Sequence, residues 1–315
     1  RSDVQAILAV ARILVDMELY NLAFQDGDIQ LAGIATNVQN ILDLILNTNI
    51  LGDHAYIVHN VFKLLNINVN LSDLREVDYA ADFAAVSTVL ENIESIITNC
   101  EVNTLNELIS FMNSFVLMEE FENPVLLTNE NISKVIMSLY EIIGLDLVSA
   151  VYAPVYAHIQ NNFLTNVDPM IEPFVDLSNY DADELVNDLQ ALLLAINGLV
   201  EYDIIGIVYR ETVIDWANTE PVTNLIKAIF GLTYLEERTE NIIGIINEYV
   251  MPIESLFEYA EQISLAKEGE ILAKVYEEIA GLMQNGIKAN TLGQIFKLTI
   301  KNKYFTDDNA QYIVN

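Results

Sequence analysis

The groups that could act as bases at neutral pH are few in this sequence, which contains three histidines. His54 and His59 lie five residues apart, so they do not share a helical face as the four-residue histidine pair of a zinc site does. A half-exposed position near a helix start is their expected role. His158 stands alone, and the sequence has neither a glycine-rich phosphate loop nor a serine in a nucleophile elbow. The sequence therefore predicts no catalytic residue and no cofactor.

Carboxylates are far more abundant, and a pair of acids of the glycosidase type would be a second source of chemistry. The densest pairs are Glu119 with Glu120 and Glu277 with Glu278. Adjacent acids point in different directions on a helix, so solvated helix faces are the better interpretation of both pairs. A hydrolase that uses scattered carboxylates remains an alternative to a non-enzymatic protein.

One acidic fragment resembles the beginning of a calcium loop. In FQDGDIQ, Asp26 and Asp28 flank Gly27, but the third acid and the terminal bidentate glutamate of a twelve-residue loop are missing. A turn that connects two helices is the favoured interpretation. Asp26 and Asp28 are the only metal ligands that the sequence suggests, with calcium as the ion.

Tyrosine is frequent, with 15 residues against one tryptophan. Amphipathic rings give a binding surface large contact area at low entropic cost. Packing between helices, with the hydroxyl group at the rim, is the commoner use of such residues. The tyrosines that could line a concave groove are Tyr20, Tyr56, Tyr152, Tyr156, Tyr202, Tyr209 and Tyr234.

The net charge of -32, from 46 acidic and 14 basic residues, limits the classes of partner. Its field repels phosphate backbones and anionic lipid headgroups, so nucleic acid is excluded as a partner, whereas cations and basic surfaces are attracted. Acidic residues or proline interrupt the two most apolar windows, 142–159 and 191–209. Both windows are expected to be buried helices rather than membrane spans. The main expected role of the charge is solubility.

The single cysteine, Cys100, cannot form an intramolecular disulfide, and no basic or histidine neighbour in the sequence would favour its thiolate. An ordinary half-buried thiol is expected. A chain without disulfides fits the cytoplasm and also the surface proteins of Gram-positive and wall-less bacteria. The sequence begins RSDVQ, without Met or a signal peptide, which predicts a piece of a longer protein. Of the two compartments, the cell surface is favoured.

The elements that must position these residues are helices. Glycine and proline are few, at 12 and 6, and apolar residues recur at steps of three and four almost throughout. Acidic or hydroxyl residues stand before three such ladders, as a helix N-terminus requires. The ladders are Leu185, Leu189, Leu192, Ile196 and Leu199; Phe83, Val86, Leu90, Ile93 and Ile97, behind Asp82; and Val4, Ile7, Ala11, Leu14 and Met17.

Each of these ladders is followed by a second and a third. The segments 37–51 and 221–235 match in their apolar positions, and third ladders begin at Ile57, Ile132 and Ile242. Three helices then make one unit, and stacked units share a core that a single unit cannot form. The predicted fold is an all-α helical-repeat array, α-solenoid-like, with units 1–77, 78–180 and 181–253 and a partial or capping unit 254–315. The proline-containing segment 161–180 is predicted to be a linker or protruding loop.

A repeat array of this kind is typical of binding proteins rather than enzymes. The sequence favours a non-enzymatic structural or interaction scaffold, a fragment of a larger acidic helical-repeat protein of the bacterial cell surface. Its expected partner is another protein or a further copy of itself. A cytoplasmic adaptor that joins two proteins is the main alternative.

Overall fold

The structure is a computed structural model, and it describes residues 2–16, 30–46, 54–116, 128–165, 167, 169, 171–177, 180–202, 215–246, 248 and 264–284. Helices make up 81% of this part of the chain, which contains 14 α-helices and no strand. One isolated antiparallel bridge joins Gln30 to Thr104. The prediction of an all-α protein is confirmed.

The helices of the first half are α1 Ser2–Asp16, α2 Ile34–Leu46, α3 His54–Leu64, α4 Leu71–Glu76, α5 Tyr79–Asn99, α6 Leu105–Val116 and α7 Asn129–Ile143. Those of the second half are α8 Asp146–Phe163, α9 Glu172–Val175, α10 Ala182–Leu199, α11 Glu220–Phe230, α12 Thr233–Glu236, α13 Thr239–Ile245 and α14 Leu265–Gln284. A 3₁₀ turn, Val200–Tyr202, extends α10.

Seven helices form a row in which each packs against the next, in the order α1, α2, α5, α7, α10, α11 and α14. The other helices pack beside this row. Helix α4 packs against α3 and α8, while α8 also contacts α5 and α10, and α12 contacts α10 and α14. Helix α8 therefore lies against the middle of the row, where it forms one wall of the site described below.

Local capping explains where several of the long helices begin. The Asp78 side chain accepts hydrogen bonds from the N–H groups of Ala80 and Ala81, both at 3.1 Å, at the start of α5. Asp181 accepts from the N–H of Asp183 at 2.8 Å at the start of α10. A carboxylate here satisfies donors that the helix itself leaves unpaired and faces the positive end of its dipole. The acidic start predicted for α10 is confirmed.

Four other helices begin against a carboxylate that a different helix supplies. Each carboxylate accepts two backbone N–H bonds, so these acids serve helix N-termini and not basic side chains. The acceptors, with their N–H donors, are Glu94 with Gly33 and Ala35 (2.6 and 3.3 Å), Asp82 with Asp146 and Leu147 (2.8 and 3.0 Å), Asp188 with Thr233 and Tyr234 (3.1 and 2.9 Å), and Glu236 with Leu265 and Ala266 (2.7 and 3.4 Å).

Two of these four junctions share a Gly–Leu dipeptide. Gly144 is the C-cap of α7 and Gly231 is the C-cap of α11, and each is followed by a leucine that directly precedes the next helix. Neither Leu145 nor Leu232 can cap that helix with its side chain. The caps come instead from the buried acids of α5 and α10. The first helix of predicted unit 78–180 and the first helix of predicted unit 181–253 thus play the same role.

Fully buried apolar side chains are few in the described residues. One cluster contains Leu31, Ile97 and Val102, between α2, α5 and the start of α6. The other is built on Ala55, Val69 and Leu74, between α3, α4 and α8. The five apolar residues of the α10 ladder are half-buried. The most buried residues of this helix are Asp188 and Ala195, which do not belong to the ladder.

The third ladder of the first predicted unit, which begins at Ile57 and continues with Val61 and Leu64, is expected to face the core, and this expectation is wrong. All three residues are exposed, with 84% of Leu64 accessible. Helix α3 instead turns Ala55 and Phe62 towards the second cluster. Its sequence, HAYIVHNVFKL, is apolar on nearly every side, so periodicity alone does not select one face.

Candidate functional site

A cleft of about 510 Å³ lies between α8 and the start of α10. Its volume falls within the range of about 300–1,000 Å³ found for ligand sites. We call it the α8–α10 cleft. Its lining residues are Ser149, Tyr152, Ala153, Tyr156, Ala157, Gln160, Leu177, Tyr180, Asp181, Ala182 and Asp183.

One wall of the cleft is a single face of α8. The six α8 residues in the lining, between Ser149 and Gln160, recur at alternating steps of three and one, which places them on one side of the helix. The two tyrosine rings on this face, Tyr152 and Tyr156, stack with centroids 6.2 Å apart and planes at 14°. Ala153 and Ala157 alternate with the rings, so small side chains leave room beside the aromatic faces.

The two hydroxyl groups of this ring pair differ. The Tyr156 hydroxyl donates to the carbonyl oxygen of Val175 at 2.9 Å and accepts from the N–H of Leu177 at 2.7 Å, which fixes the ring. The Tyr152 hydroxyl is buried and has no hydrogen-bond partner among the described residues. Burial, with a smaller contribution from Tyr156, raises the pKa of Tyr152. Burial thus keeps the Tyr152 hydroxyl protonated.

The opposite wall is the N-terminal turn of α10 and the residue that precedes its cap. Tyr180 is 4% exposed, and its hydroxyl donates to the Asp188 carboxylate. Burial raises the pKa of Tyr180, and the bond to Asp188 raises it further. Asp181 and Asp183 are exposed at the mouth, so this wall presents negative charge beside an apolar surface.

Arg238 holds together the residues behind the cleft. Its guanidinium donates to the carbonyl oxygens of Pro173 at 2.8 Å, Asp176 at 2.7 Å and Tyr234 at 3.0 Å. The same group lies 4.0 Å from the ring centroid of Tyr234 and 5.9 Å from that of Tyr180. Arg238 is 8% exposed, so this cation is desolvated and bound by carbonyl dipoles and aromatic faces.

These bonds change the interpretation of the segment predicted as a linker or protruding loop. Residues 171–177 contain α9, and residues 173–177 are half-buried. Arg238, Tyr156 and Tyr234 all hydrogen-bond to the backbone of this stretch. Residues 171–177 are therefore part of the packed body, although the unit boundary at 180 stays a prediction.

Carboxylates outnumber the one buried cation around the cleft. Asp181 and Asp183 lie at its mouth, Glu184 follows them on α10, and Asp176 and Asp188 lie behind Leu177 and Tyr180. Arg238 is the basic side chain that the structure places among them. The cleft is a negatively charged, aromatic-lined site.

The residues that the sequence suggests for metal binding or acid catalysis are not in this cleft. Asp26, Asp28, Glu119 and Glu120 lie outside the described residues. Glu277 and Glu278 are exposed on α14, as expected for a solvated face. Within the described ranges, no group of three or more His, Cys, Asp or Glu side chains could hold a metal ion.

The histidines have structural contacts. His54 Nε2 donates to the carbonyl oxygen of Ile45 at 3.3 Å, and His59 Nδ1 to that of Val69 at 3.0 Å. Both are half-buried, and His54 is the first residue of α3, as predicted, whereas His59 lies in the middle of that helix. His158 accepts from the side-chain amide of Asn162 at 3.4 Å on an outer turn of α8.

Cys100 is half-buried, as predicted, and its sulfur accepts from the Asn131 side-chain amide at 3.7 Å. Asn131, which begins one of two Asn-X-Ser sequons, is fully buried. Asn70, which begins the other, is exposed ahead of α4. These three residues lie away from the cleft lining.

The tyrosines that the sequence offers for a groove are distributed over several places. Tyr152 and Tyr156 line the cleft, and Tyr234 lies behind it in edge contact with Tyr180, with centroids 5.7 Å apart. Tyr202 lies beside Tyr276. Tyr56 is on the exposed face of α3, and Tyr20 and Tyr209 lie outside the described residues.

Sequence reasoning missed Tyr180 and Arg238. Tyr180 directly precedes the predicted cap of α10, and this position is the signal that could have found it. Arg238 stands in the acidic run LEERTE, which is typical of a solvated surface, so the sequence carried no sign of its burial.

Comparison of the chain with protein-family profiles, curated proteins and solved structures found no match. In the part of the chain that the structure describes, no single helix is long and apolar enough to cross a membrane. The bent pair α7 and α8, at 72° to each other, meets that test by length and composition only.

Proposed function

We propose that this protein is a non-enzymatic interaction scaffold built from helical repeats, and that a protein partner docks in the α8–α10 cleft. The observation that carries this proposal is the make-up of the cleft, which combines stacked tyrosine rings with a rim of carboxylates. Tyrosine is enriched at interface centres because a rigid ring buries a large area with few rotatable bonds. The proposed setting is a larger acidic protein of the bacterial cell surface.

The repeat arrangement is supported by the two equivalent junctions. In each of the predicted units 78–180 and 181–253, a buried aspartate of the first helix caps the helix that follows a Gly–Leu turn. The row of seven helices that pack in succession also suits an array in which each unit contacts its neighbours. Two such units set α8 of one against the start of α10 of the next, which is where the cleft lies.

Small-angle scattering tests the architecture. A stacked array is expected to give a radius of gyration clearly above the roughly 20 Å of a compact globule of this length. A value near 20 Å would exclude the array.

Peptide binding tests the function. A panel of blocked 15-residue peptides of acidic, neutral, basic and apolar composition is titrated into the full chain in 0.15 M NaCl by calorimetry. At least one class should bind saturably at one site. Ala157→Trp, which fills the cleft, should weaken that binding at least tenfold. Ala84→Trp, at an exposed position of α5, is the matched control and should leave it unchanged.

Two results of this titration would reject the proposed function. One is the absence of saturable binding for every class of peptide. The other is equal weakening by Ala157→Trp and Ala84→Trp, since the cleft would then have no special role. The full-length gene separates the surface protein from the cytoplasmic adaptor: a signal peptide with further copies of the unit favours the former, and an attached catalytic domain favours the latter.

A further inference from the structure

We propose that the α8–α10 cleft takes the guanidinium group of an arginine that a basic segment of the partner presents, a step that rests on the proposed function. The arginine would lie against the Tyr152 and Tyr156 rings where they line the cleft, with its nitrogens towards Asp181 and Asp183. The proposal deepens the scaffold assignment because it names the chemistry that the cleft recognises.

The first argument is the geometry of the rings. Tyr152 and Tyr156 are nearly parallel, at 14°, and both line the cleft, so aromatic carbon forms part of its α8 wall, with Tyr152 the more exposed of the two rings. Planar guanidinium groups stack on such surfaces, and the attraction acts within about 6 Å of a ring centroid. The hydrogen bonds of the Tyr156 hydroxyl to Val175 and Leu177 hold this surface in place before a ligand arrives.

The second argument is that the protein already binds one guanidinium in this way. Arg238 lies 4.0 Å from the Tyr234 ring centroid, and its nitrogens are occupied by three backbone carbonyls. Arg238 also lies 5.9 Å from the ring centroid of Tyr180, which lines the cleft, so its positive charge is close to the cleft wall. Asp181 and Asp183 at the mouth, with Glu184 beside them, outweigh that one charge for an incoming cation.

The test uses the full chain with a blocked peptide that carries three arginines separated by Gly-Ser. The matched probes replace arginine by citrulline, which is neutral and of similar shape, or by lysine. Titrations in 0.15 M NaCl reduce the general attraction of the -32 charge, since the Debye length is then about 8 Å. Calorimetry gives the affinity, and NMR of ring-labelled tyrosine reports which rings the peptide covers.

The variants separate stacking from charge. Tyr152→Leu removes a ring and should weaken the arginine peptide about fivefold, whereas Tyr152→Phe keeps the ring and should stay within about threefold of the wild type. Asp181→Asn keeps an N-cap residue but removes a charge, and should weaken binding about two- to fivefold. Asp78→Asn makes the same change at the N-cap of α5, outside the cleft lining, and should leave the affinity unchanged.

The proposal is supported if the arginine peptide shifts the Tyr152 ring resonances, citrulline abolishes binding and the variants follow this order. It is overturned if lysine binds as tightly as arginine, or if Asp78→Asn weakens binding as much as Asp181→Asn. It is also overturned if a peptide of another class binds in the cleft and the arginine peptide does not. In that last case the scaffold function stands and only the ligand chemistry is wrong.

Discussion

Asp188 caps a helix that begins 45 residues later in the chain, at Thr233. Its two carboxylate oxygens accept from the N–H groups of Thr233 and Tyr234, and one of them also accepts from the Tyr180 hydroxyl. A charged side chain with 9% exposure thus joins α10 to α12 and to the wall of the cleft. Asp82 joins α5 to α8 in the same way.

Replacement of this cap should be costly. We expect Asp188→Ala to lower the free energy of unfolding by about 2 kcal/mol, since two helix N–H groups and a buried hydroxyl lose their acceptor. Asp188→Asn keeps one oxygen and should lose about half as much. Urea unfolding followed by circular dichroism gives these values. Asn187→Ala, the exposed neighbour on α10, is the control and should change stability by less than about 0.5 kcal/mol. Equal effects at positions 187 and 188 would contradict the capping role.

Asp82 should give stability a pH dependence of definite sign. Burial raises its pKa above the ordinary 3.8, although the N–H groups of Leu147 and Asp146 oppose the shift. The folded protein therefore holds this proton to higher pH than the unfolded chain does. The resulting stabilisation is present below pH 3.8 and is lost as pH rises through the folded pKa.

The measurement is a comparison of wild type with Asp82→Asn. Unfolding free energies in urea, taken from below pH 3.8 to neutrality, should show the wild type losing stability relative to the variant as pH rises. Glu277→Gln, on the exposed face of α14, shows the effect of one fewer surface charge. A difference that grows in favour of the wild type with rising pH would mean that the N–H bonds outweigh burial.

Replacement of two glycines of α14 by alanine should change the stability of the protein in opposite directions. A Cβ at Gly269 would lie 2.4 Å from Phe230 Cβ, so Gly269→Ala must push α14 away from α11. The expected loss is about 2 kcal/mol. A Cβ at Gly281 meets no atom within 4 Å, and Gly281→Ala should stabilise the helix by up to about 1 kcal/mol. Thermal melting of the two variants gives the comparison, and a stabilised Gly269→Ala would exclude close packing of α11 on α14.

Arg238 should control the protection of residues 171–177. The sequence predicts that 161–180 is a linker or protruding loop, which would make it the most protease-sensitive internal segment, but Arg238 binds the carbonyl groups of Pro173 and Asp176. We expect chymotrypsin to cut slowly at Phe174 in the wild type and much faster in Arg238→Lys, because a lysine ammonium cannot reproduce the forked contacts. Arg12→Lys, an exposed change on α1, is the control. Rapid cleavage at Phe174 in the wild type would restore the linker interpretation.

Calcium at about millimolar concentration should raise the melting temperature only slightly, if the acidic charge serves solubility. A specific site would stabilise by about 2.7 kcal/mol at a hundredfold excess of free ion over its dissociation constant. Melting is compared in calcium, magnesium and sodium chloride of matched ionic strength, with Asp26→Asn/Asp28→Asn as the variant. A large shift with calcium alone, lost in that variant, would replace solubility by calcium binding.

The sequence by itself determined the all-α class and the residues at which some helices begin. Steps of three and four between apolar residues, with few glycines and prolines, are compatible with helices and not with strands, and Asp181 caps α10 as its position predicts. These features depend on neighbours within one or two helical turns. The half-buried state of Cys100 also followed from residue type.

Only the tertiary structure decided which face each helix buries and where the charged residues are used. Helix α3 is apolar on most sides, so its sequence period does not show which face is buried. Packing against neighbouring helices buries Ala55 and leaves Ile57 exposed. Asp82, read from sequence as part of a local helix start, bonds to N–H groups 64 and 65 residues away, and Arg238 bonds to a carbonyl 65 residues away. A buried charge is tolerated only where backbone N–H or carbonyl groups lie within hydrogen-bonding distance of it. Which distant groups come that close cannot be read from the spacing of residues along the chain.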